Sequence, residues 1–181
     1  MSITLSTRPD LKCRSPAFKD PMNTPISLRP FRPDDTPALF ALFRDTVHRV
    51  NARDYSPEQL RAWAPDAFDA ARWGTLAERF AVVAEANGRT IGFTDLEPDG
   101  HIDRFFVHAD HQGRGVGRAM MGALVAEAGR TGLRRLFAEV SVTARPFFER
   151  RGFTARAAQE VLVRGVALTN FRMERLLPDH N

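Results

Sequence analysis

The stretch Gln112-Gly113-Arg114-Gly115-Val116-Gly117 has the residue types that bind a phosphate group. It lies between a strand-like run, residues 102–107, and a helix-like run from about residue 116 to 130. Glycines let the main chain approach a ligand closely, so several amide N–H groups can point at one anion. The dipole of the following helix adds partial positive charge. The pattern therefore predicts a site for a phosphate-bearing cofactor.

The spacing of these glycines excludes two common nucleotide-binding motifs. A P-loop requires Lys-Ser or Lys-Thr after the last glycine, and neither pair is present. A Gly-x-Gly-x-x-Gly fingerprint fails because its third glycine position is occupied by Arg118 or Met120, depending on where counting starts. The pattern that remains is Gln-x-x-Gly-x-Gly.

That pattern resembles the acetyl-CoA pyrophosphate loop of the GNAT N-acetyltransferase superfamily, Arg/Gln-x-x-Gly-x-Gly/Ala. Residues 105–108, Phe-Phe-Val-His, are similar to the cofactor-binding fourth strand of the family, and residues 144–153 resemble its late A-x-x-F-Y-E-x-x-G-F segment. The three segments occur in the family's order, and the resemblance covers residues 26–177. Residues 55–59, Tyr-Ser-Pro-Glu-Gln, are similar to a YafP-like branch.

Composition favours one globular domain, because 43% of the 181 residues are hydrophobic and 27% are charged. No apolar run approaches the roughly 20 residues of a membrane-spanning helix, so we expect no membrane partner. The net charge is +4, but the basic residues are scattered, which makes nucleic acid an unexpected partner. A single cysteine, Cys13, fits a cytoplasmic protein, and no Cys/His cluster has metal-site spacing.

The order of elements predicts a mixed α/β fold. Four prolines and no periodicity in residues 1–25 indicate an irregular arm, with Met22 as an alternative start. Residues 26–177 are predicted to form a single domain and residues 178–181 a tail. Hydrophobic periodicity within the domain predicts the order β-α-α-β-β-β-α-β-α-β-β, with residues 100–107 as the fourth strand.

The resemblance implies the GNAT fold: a mostly antiparallel, twisted sheet of about seven strands, with helices on both faces and strands four and five splayed apart. The helix after the glycine turn places Val116, Met120 and Leu124 on one stripe, which we interpret as core.

The resemblance also implies acetyl-CoA as the cosubstrate. Its pantetheine arm is expected to bind like an added strand, and its pyrophosphate to bind the amides of residues 112–118, with charge-assisted help from two arginines. The predicted cofactor-binding residues are Phe105, Phe106, Val107, Gln112, Gly113, Arg114, Gly115, Val116, Gly117, Arg118, Ser141, Thr143, Phe147 and Phe148.

The chain departs from the family at Phe148, where a tyrosine commonly faces the cofactor sulfur. Either the thiolate leaves unprotonated, since a thiol pKa of about 8.5 permits this, or another hydroxyl donates a proton. Ser141 and Thr143 are nearest in sequence, although Thr143 is also placed to cap the following helix. Tyr55 is a further candidate acid or substrate contact, with packing as its alternative role.

Acetyl transfer needs a base that removes a proton from the amine. Asp103 ranks first, because an acid in an apolar strand is costly unless it is paired or functional. Its alternative is a salt bridge to Arg104 or to another arginine. Glu139 on the fifth strand ranks second and His101 at the start of the fourth strand ranks third. Glu97 and His108 are candidates that would act through water.

The function implied is an acetyl-CoA-dependent N-acetyltransferase that transfers the acetyl group directly to a primary amine in a ternary complex. The acceptor is left open: a small-molecule amine, a protein N-terminus or a lysine. Its pocket is expected from the first two helices and the last hairpin, with Asp54, Glu58 and Glu97 available to attract an amine. The oligomeric state is also open, including a homodimer. The alternative function is a non-catalytic acyl-CoA-sensing domain, suggested by Phe148.

Overall fold

A computed structural model describes residues 25–178 of the chain. The predicted arm of residues 1–25, the alternative start at Met22, Cys13 and the tail of residues 178–181 therefore lie almost wholly outside the described residues.

Residues 25–178 form seven strands and five α-helices in the predicted order, with one additional short helix. The strands are β1 (Ser27–Pro30), β2 (Phe80–Ala86), β3 (Arg89–Leu96), β4 (Phe105–Val107), β5 (Arg135–Ser141), β6 (Thr154–Val163) and β7 (Val166–Leu176). The helices are α1 (Thr36–Val50), α2 (Pro57–Trp63), α3 (Ala70–Gly74), α4 (Val116–Thr131) and α5 (Arg145–Glu149). This is the mixed α/β fold that the sequence predicted.

The strands form two antiparallel sheets, ordered β1-β2-β3-β4 and β5-β7-β6. A parallel bridge between His101 and Phe137 joins them. There the N–H of Ile102 donates to the Phe137 carbonyl at 2.8 Å, and the N–H of Phe137 donates to the Gly100 carbonyl at 3.0 Å. Beyond this junction β4 and β5 are not paired, so the expected splay of strands four and five is confirmed.

The fourth strand is shorter than the predicted 100–107, because the Asp95 side chain interrupts the ladder. Its carboxylate accepts the main-chain N–H of Arg104 at 2.8 Å, and the Thr94 hydroxyl donates to the Arg104 carbonyl at 2.7 Å. Regular pairing with β3 therefore begins only at Phe105.

Helices cover both faces of the sheets. On one face, α1, α2 and α3 bury a cluster around Leu39, Phe43 and Phe93. On the other, α4 and α5 bury a second cluster around Leu124 and Leu136. Val116, Met120 and Leu124 are at most 1% exposed, so the predicted core stripe of α4 is confirmed.

The segment from Tyr55 to Gln59 attaches α2 to the first residues of β7, which pair with β6 but not with β5. Ser56 and Gln59 form a capping box, in which the Ser56 hydroxyl accepts the N–H of Gln59 and the Gln59 side chain accepts the N–H of Ser56. The Gln59 amide also donates to the Ala167 carbonyl at 2.9 Å. Pairing between β5 and β7 stops at Ser141 and Asn170, so α2 covers the part of β7 that β5 does not reach.

Candidate active site

A cavity of about 740 Å³ lies along the gap between β4 and β5. Its loop end is lined by Gln112, Gly113, Gly115, Gly117 and Arg118, together with α5. Its hairpin end is lined by residues of α1, α2 and α3 and by the hairpin formed by β6 and β7. The cavity is continuous from one end to the other.

The loop end exposes main-chain N–H groups to the cavity. Gly113 and Gly115 have φ angles of +73° and +90°, a region that favours glycine. Gly115 is the N-cap of α4, and no side chain caps this 16-residue helix. The first N–H groups of α4 are thus available to an anion, which the helix dipole also attracts.

The predicted loop residues do not all face the cavity. Arg118 lines it, whereas Arg114 is outside the wall and the Val116 side chain is core. The Gln112 amide donates to the Val107 carbonyl at 3.3 Å, which ties the turn to β4. A Cβ atom at Gly117 would lie 3.0 Å from two carbons of the Phe147 ring, so a side chain at this position would require that ring to shift.

Phe147 and Phe148 make the adjacent wall apolar. The Phe148 ring is 3% exposed and lies 5.5 Å from the Phe105 ring and 5.0 Å from the Phe153 ring, centroid to centroid. The Phe147 ring lies 5.3 Å from that of Phe105. The phenylalanine side chain at position 148 has no proton to donate.

Asp103 lies in the cavity wall, but two arginines hold its carboxylate. Its Oδ2 atom is 2.6 Å from Nη1 of Arg79 and 3.3 Å from Nη1 of Arg104. Burial opposes ionisation of Asp103, yet the two guanidinium groups outweigh it and lower the pKa. The same arginines bind Asp95, whose pKa is raised by its burial. The salt bridge to Arg104, the alternative left open by the sequence, is present, and it disfavours Asp103 as a base.

Glu139 and His101 lie together at the junction of the two sheets. Oε2 of Glu139 is 2.7 Å from Nε2 of His101, and Nδ1 of His101 is 3.4 Å from the Glu97 carboxylate. Burial alone would lower the pKa of His101, but the two carboxylates outweigh it and raise the pKa. Glu139 lines the cavity and is half-exposed, whereas His101 lies behind it, stacked on the ring of Phe137.

Ser141 and Thr143 differ in what their hydroxyls contact. The Ser141 hydroxyl accepts the N–H of Ala144 at 3.1 Å and the side-chain amide of Asn51 at 3.4 Å. The Thr143 hydroxyl donates to the Asp54 carboxylate at 2.6 Å. No side chain caps α5, whose N-cap residue is Ala144, so the expectation that Thr143 caps this helix is wrong. The Ser141 hydroxyl instead closes the turn that precedes the helix.

The Tyr55 hydroxyl continues the hydrogen-bond pattern where β5 and β7 separate. It donates to the Thr169 carbonyl at 2.6 Å and accepts the N–H of Val142 at 2.9 Å. The side chain is 6% exposed, and burial raises its pKa. These contacts support the packing role of Tyr55, because the hydroxyl proton is already used within the protein.

The hairpin end contains side chains that sequence reasoning missed. Asn51, Arg72, Arg164 and Asn170 line the cavity, and the Oδ1 atom of Asn170 is buried without a hydrogen-bond partner. No motif marks these positions, since they come from four separate segments. Val50, Tyr55, Trp63 and Trp73 also line the cavity. The acidic residues expected to attract an amine, Asp54, Glu58 and Glu97, are absent from its wall.

Two negative findings apply to residues 25–178. Within this range no helix is long and apolar enough to span a membrane. The same residues contain no group of three or more His, Cys, Asp or Glu side chains that could hold a metal ion.

Two sheets that splay apart at the uncapped, glycine-rich start of a long helix are an arrangement that this chain shares with proteins of a known family. The family model described as "Acetyltransferase (GNAT) domain" matches residues 51–175. The N-acetyltransferase YafP of Escherichia coli strain K12 is 36% identical over 156 residues, covering 86% of this chain and 98% of YafP. The chain therefore belongs to the GNAT N-acetyltransferase superfamily.

Solved structures agree with this assignment. A GCN5-related N-acetyltransferase from Rhodopseudomonas palustris superposes with a TM-score of 0.80 at 37% identity, covering 86% of this chain and 98% of the other. The PaiA N-acetyltransferase from Thermoplasma acidophilum, solved in complex with coenzyme A, has a TM-score of 0.71 at 16% identity, covering 84% and 99%. The second likeness shows the shared fold.

Proposed function

We propose that this protein transfers the acetyl group of acetyl-CoA directly to a primary amine, with both substrates bound at once. The observation that carries the proposal is the continuous cavity, which joins an anion-binding helix start to a separate side-chain-lined end. Two substrates that enter from opposite ends would meet at the gap between β4 and β5, beside Glu139 and Ser141.

The residues at the loop end fit coenzyme A. The uncapped N–H groups of α4 suit its diphosphate, and Arg118 adds positive charge. The edge of β4 that faces the cavity is unpaired, so the main chain of Phe105 and Phe106 is available to an amide-containing arm. The Val107 carbonyl already accepts bonds from Thr46 and Gln112. Acetyl-CoA supplies the activated acyl group at this site.

Glu139 is the base in this proposal, and His101 is a positioning residue behind it. Glu139 faces the cavity, whereas the two arginines that bind Asp103 stabilise the carboxylate and lower its affinity for a proton. The amine nitrogen forms a bond to the acetyl carbon as the carbon–sulfur bond breaks. Of the two protons that an ammonium group loses, one passes to Glu139. The other passes to the Ser141 hydroxyl as that hydroxyl gives its own proton to the departing sulfur.

Ser141 is the hydroxyl placed to serve the departing sulfur. It accepts two hydrogen bonds from the protein, which leaves its own proton for a ligand. The hydroxyls of Tyr55 and Thr143 instead donate to Thr169 and Asp54. Ser141 therefore takes the role that Phe148 cannot perform.

The test measures release of free CoA thiol from acetyl-CoA in the presence of a panel of primary amines. We expect turnover, and a fall in kcat of about 100-fold or more in Glu139→Gln with an unchanged dissociation constant for CoA. Glu160→Gln, which changes an exposed carboxylate on β6, is the matched control. Binding of CoA without turnover of any amine would favour the acyl-CoA-sensing alternative.

The pH profile separates the two residues of the pair. In the wild type, kcat/KM should fall as pH drops through the raised pKa of His101, above the ordinary value of about 6.5. In His101→Gln that limb should move down toward the range of a lone carboxylate. A limb that stays in place would remove His101 from the proposal.

A further inference from the structure

The hairpin end of the cavity has an aromatic wall. Phe40, Phe43, Trp63, Trp73 and Phe106 all line it. Edge-to-face contacts hold several of these rings, with 5.6 Å between the centroids of Phe40 and Trp73 and 5.0 Å between those of Phe43 and Phe106. A wall of this kind favours a flat apolar ring, because it offers ring faces and edges and few hydrogen-bonding groups.

Every acidic side chain in the cavity wall is already committed to a partner. Asp69 accepts the N–H of Arg72 at 3.1 Å at the start of α3. Asp103 is held by Arg79 and Arg104, and Glu139 by His101 at 2.7 Å. With the acceptor amine at Glu139, Asp69 is the one carboxylate of the described cavity wall that makes no ion pair, and one of its oxygens caps α3. A second ammonium group would therefore have a single exposed carboxylate available, in a region that also holds two guanidinium groups without ion pairs.

Two arginines at the hairpin end have the opposite character. Arg72 and Arg164 line the cavity, and neither forms a close ion pair with a carboxylate of residues 25–178, although the charge of Arg72 helps to lower the pKa of Asp103. Arg164 donates one Nη1 bond to the Ala62 carbonyl at 2.7 Å, which holds its side chain against the end of α2 and leaves other N–H groups free. Arg53 and Arg104, in contrast, are neutralised by Asp54 and Asp95.

Resting on the proposed acetyl transfer, we infer that the acceptor is a compact aromatic amine that also carries a carboxylate. Its ring lies against the aromatic wall, its amine faces Glu139, and its carboxylate is bound by Arg164 and Arg72. Guanidinium groups suit a carboxylate because their planar N–H groups match its two oxygens. The surplus positive charge of this end thereby selects against cationic amines and for anionic ones.

A matched set of three compounds tests the charge preference. 4-(Aminomethyl)benzoate, 4-methylbenzylamine and 1,4-bis(aminomethyl)benzene share one ring and one benzylic amine, and differ in a carboxylate, a methyl or a second ammonium group. 6-Aminohexanoate keeps the amine and the carboxylate without the ring. For each compound we would measure kcat/KM with acetyl-CoA, and binding to the CoA-loaded protein by calorimetry.

The carboxylate compound should exceed the methyl compound by about tenfold in both measurements, because a charge-assisted hydrogen bond has about that effect. The diamine should be the weakest aromatic compound, and 6-aminohexanoate should be weaker than the aromatic carboxylate. In Arg164→Gln and Arg72→Gln the ratio of carboxylate to methyl compound should fall toward one. Arg89→Gln, an exposed arginine on β3 outside the cavity wall, should keep the wild-type ratio.

Measuring acetylation and binding separately distinguishes a failure of this inference from a failure of the proposed function. If the compounds bind with the predicted rank order of affinities but none is acetylated, the result would support the acceptor class and overturn acetyl transfer. Acetylation of the diamine as fast as the carboxylate compound, or an unchanged ratio in both arginine variants, would overturn the acceptor class and leave acetyl transfer intact. Failure of all four compounds to bind would also overturn the acceptor class.

Discussion

The two ends of the cavity are formed by different parts of the polypeptide, mainly main chain at the loop end and side chains at the hairpin end. The loop end consists of main chain from one contiguous stretch, residues 112–118, whose glycines bring N–H groups to the surface of the gap. The hairpin end consists of side chains from α1, α2, α3 and the last hairpin. Main-chain N–H groups bind a diphosphate whatever the neighbouring side chains are. Choice of acceptor is therefore expected to depend on side chains at the hairpin end.

The two ends also depend on different supports. The loop end is positioned by close packing of Gly117 against Phe147. The hairpin end is positioned by hydrogen bonds from Tyr55 and Gln59, at the start of α2, to main-chain carbonyls of β7 that β5 does not reach. Both ends share the junction at Gly100 and His101, where the two sheets meet.

The largest effect is expected at the shared junction. Gly100 has a φ of +95°, and a Cβ atom there would lie 2.2 Å from the Arg135 carbonyl oxygen. Gly100→Ala should lower the free energy of unfolding by about 3 kcal/mol and weaken binding at both ends. Urea denaturation measures the first effect. Gly74→Ala, with open space around its Cβ position, should be neutral or slightly stabilising; equal losses in the two variants would contradict this account.

Tyr55→Phe should affect the hairpin end selectively. Loss of the hydroxyl leaves the Val142 N–H and the Thr169 carbonyl without their shared partner. We expect a loss of about 2 kcal/mol in the free energy of unfolding, and a larger change in the KM of the amine than in that of acetyl-CoA. If kcat alone collapsed while stability and both KM values were unchanged, Tyr55 would be a catalytic acid after all.

Gly117→Ala is the converse test at the loop end. The added methyl would force the Phe147 ring to move, so the dissociation constant for CoA should rise about tenfold, equivalent to about 1.4 kcal/mol. Gly122→Ala changes a glycine of the same helix whose Cβ position is open, and should leave CoA binding unchanged. Calorimetric titration with CoA compares the two. Equal affinity in both variants would show that the close packing at Gly117 does not position the loop end.

The smallest effect concerns the ion pairs of His101 with Glu97 and Glu139 at the junction of the two sheets. The carboxylates of Glu139 and Glu97 raise the pKa of His101 in the folded protein, so protonated His101 stabilises the fold. That contribution is complete below the unfolded pKa of about 6.5 and disappears as pH rises through the higher folded value. The stability advantage over His101→Gln should thus be present at about pH 6 and absent at about pH 9, and remain below about 1 kcal/mol. An advantage that grows with pH would reverse the assigned sign.

Sequence reasoning succeeded where the information is local. The glycine turn and the core stripe of α4 each depend on residues within one or two helical turns. The structure adds a local reason for the segment from Tyr55 to Gln59, because Ser56 and Gln59 form a capping box.

Sequence reasoning left alternatives open where a side chain's role depends on distant partners. Asp103 was ranked first as a base, with a salt bridge as its alternative, and Arg79, 24 positions away, binds its carboxylate. Tyr55 was a candidate acid, with packing as its alternative, and its hydroxyl contacts Thr169, 114 positions away. No sequence pattern indicated Arg72 or Arg164. Their proposed role depends on the absence of a close ion pair with any carboxylate of the described residues, which only the structure shows.

The sequence by itself determined the family, the order of the strands and helices, and the glycine-rich turn that opens α4. These follow from periodicity, turn chemistry and the conformational freedom of glycine, which act over short distances. Only the tertiary structure decided which carboxylates of the cavity wall are bound by arginines, which hydroxyl donates no hydrogen bond within the protein and which arginines form no ion pair. Ionisation and hydrogen bonding depend on neighbours in space, and folding brings those neighbours from up to 114 positions away.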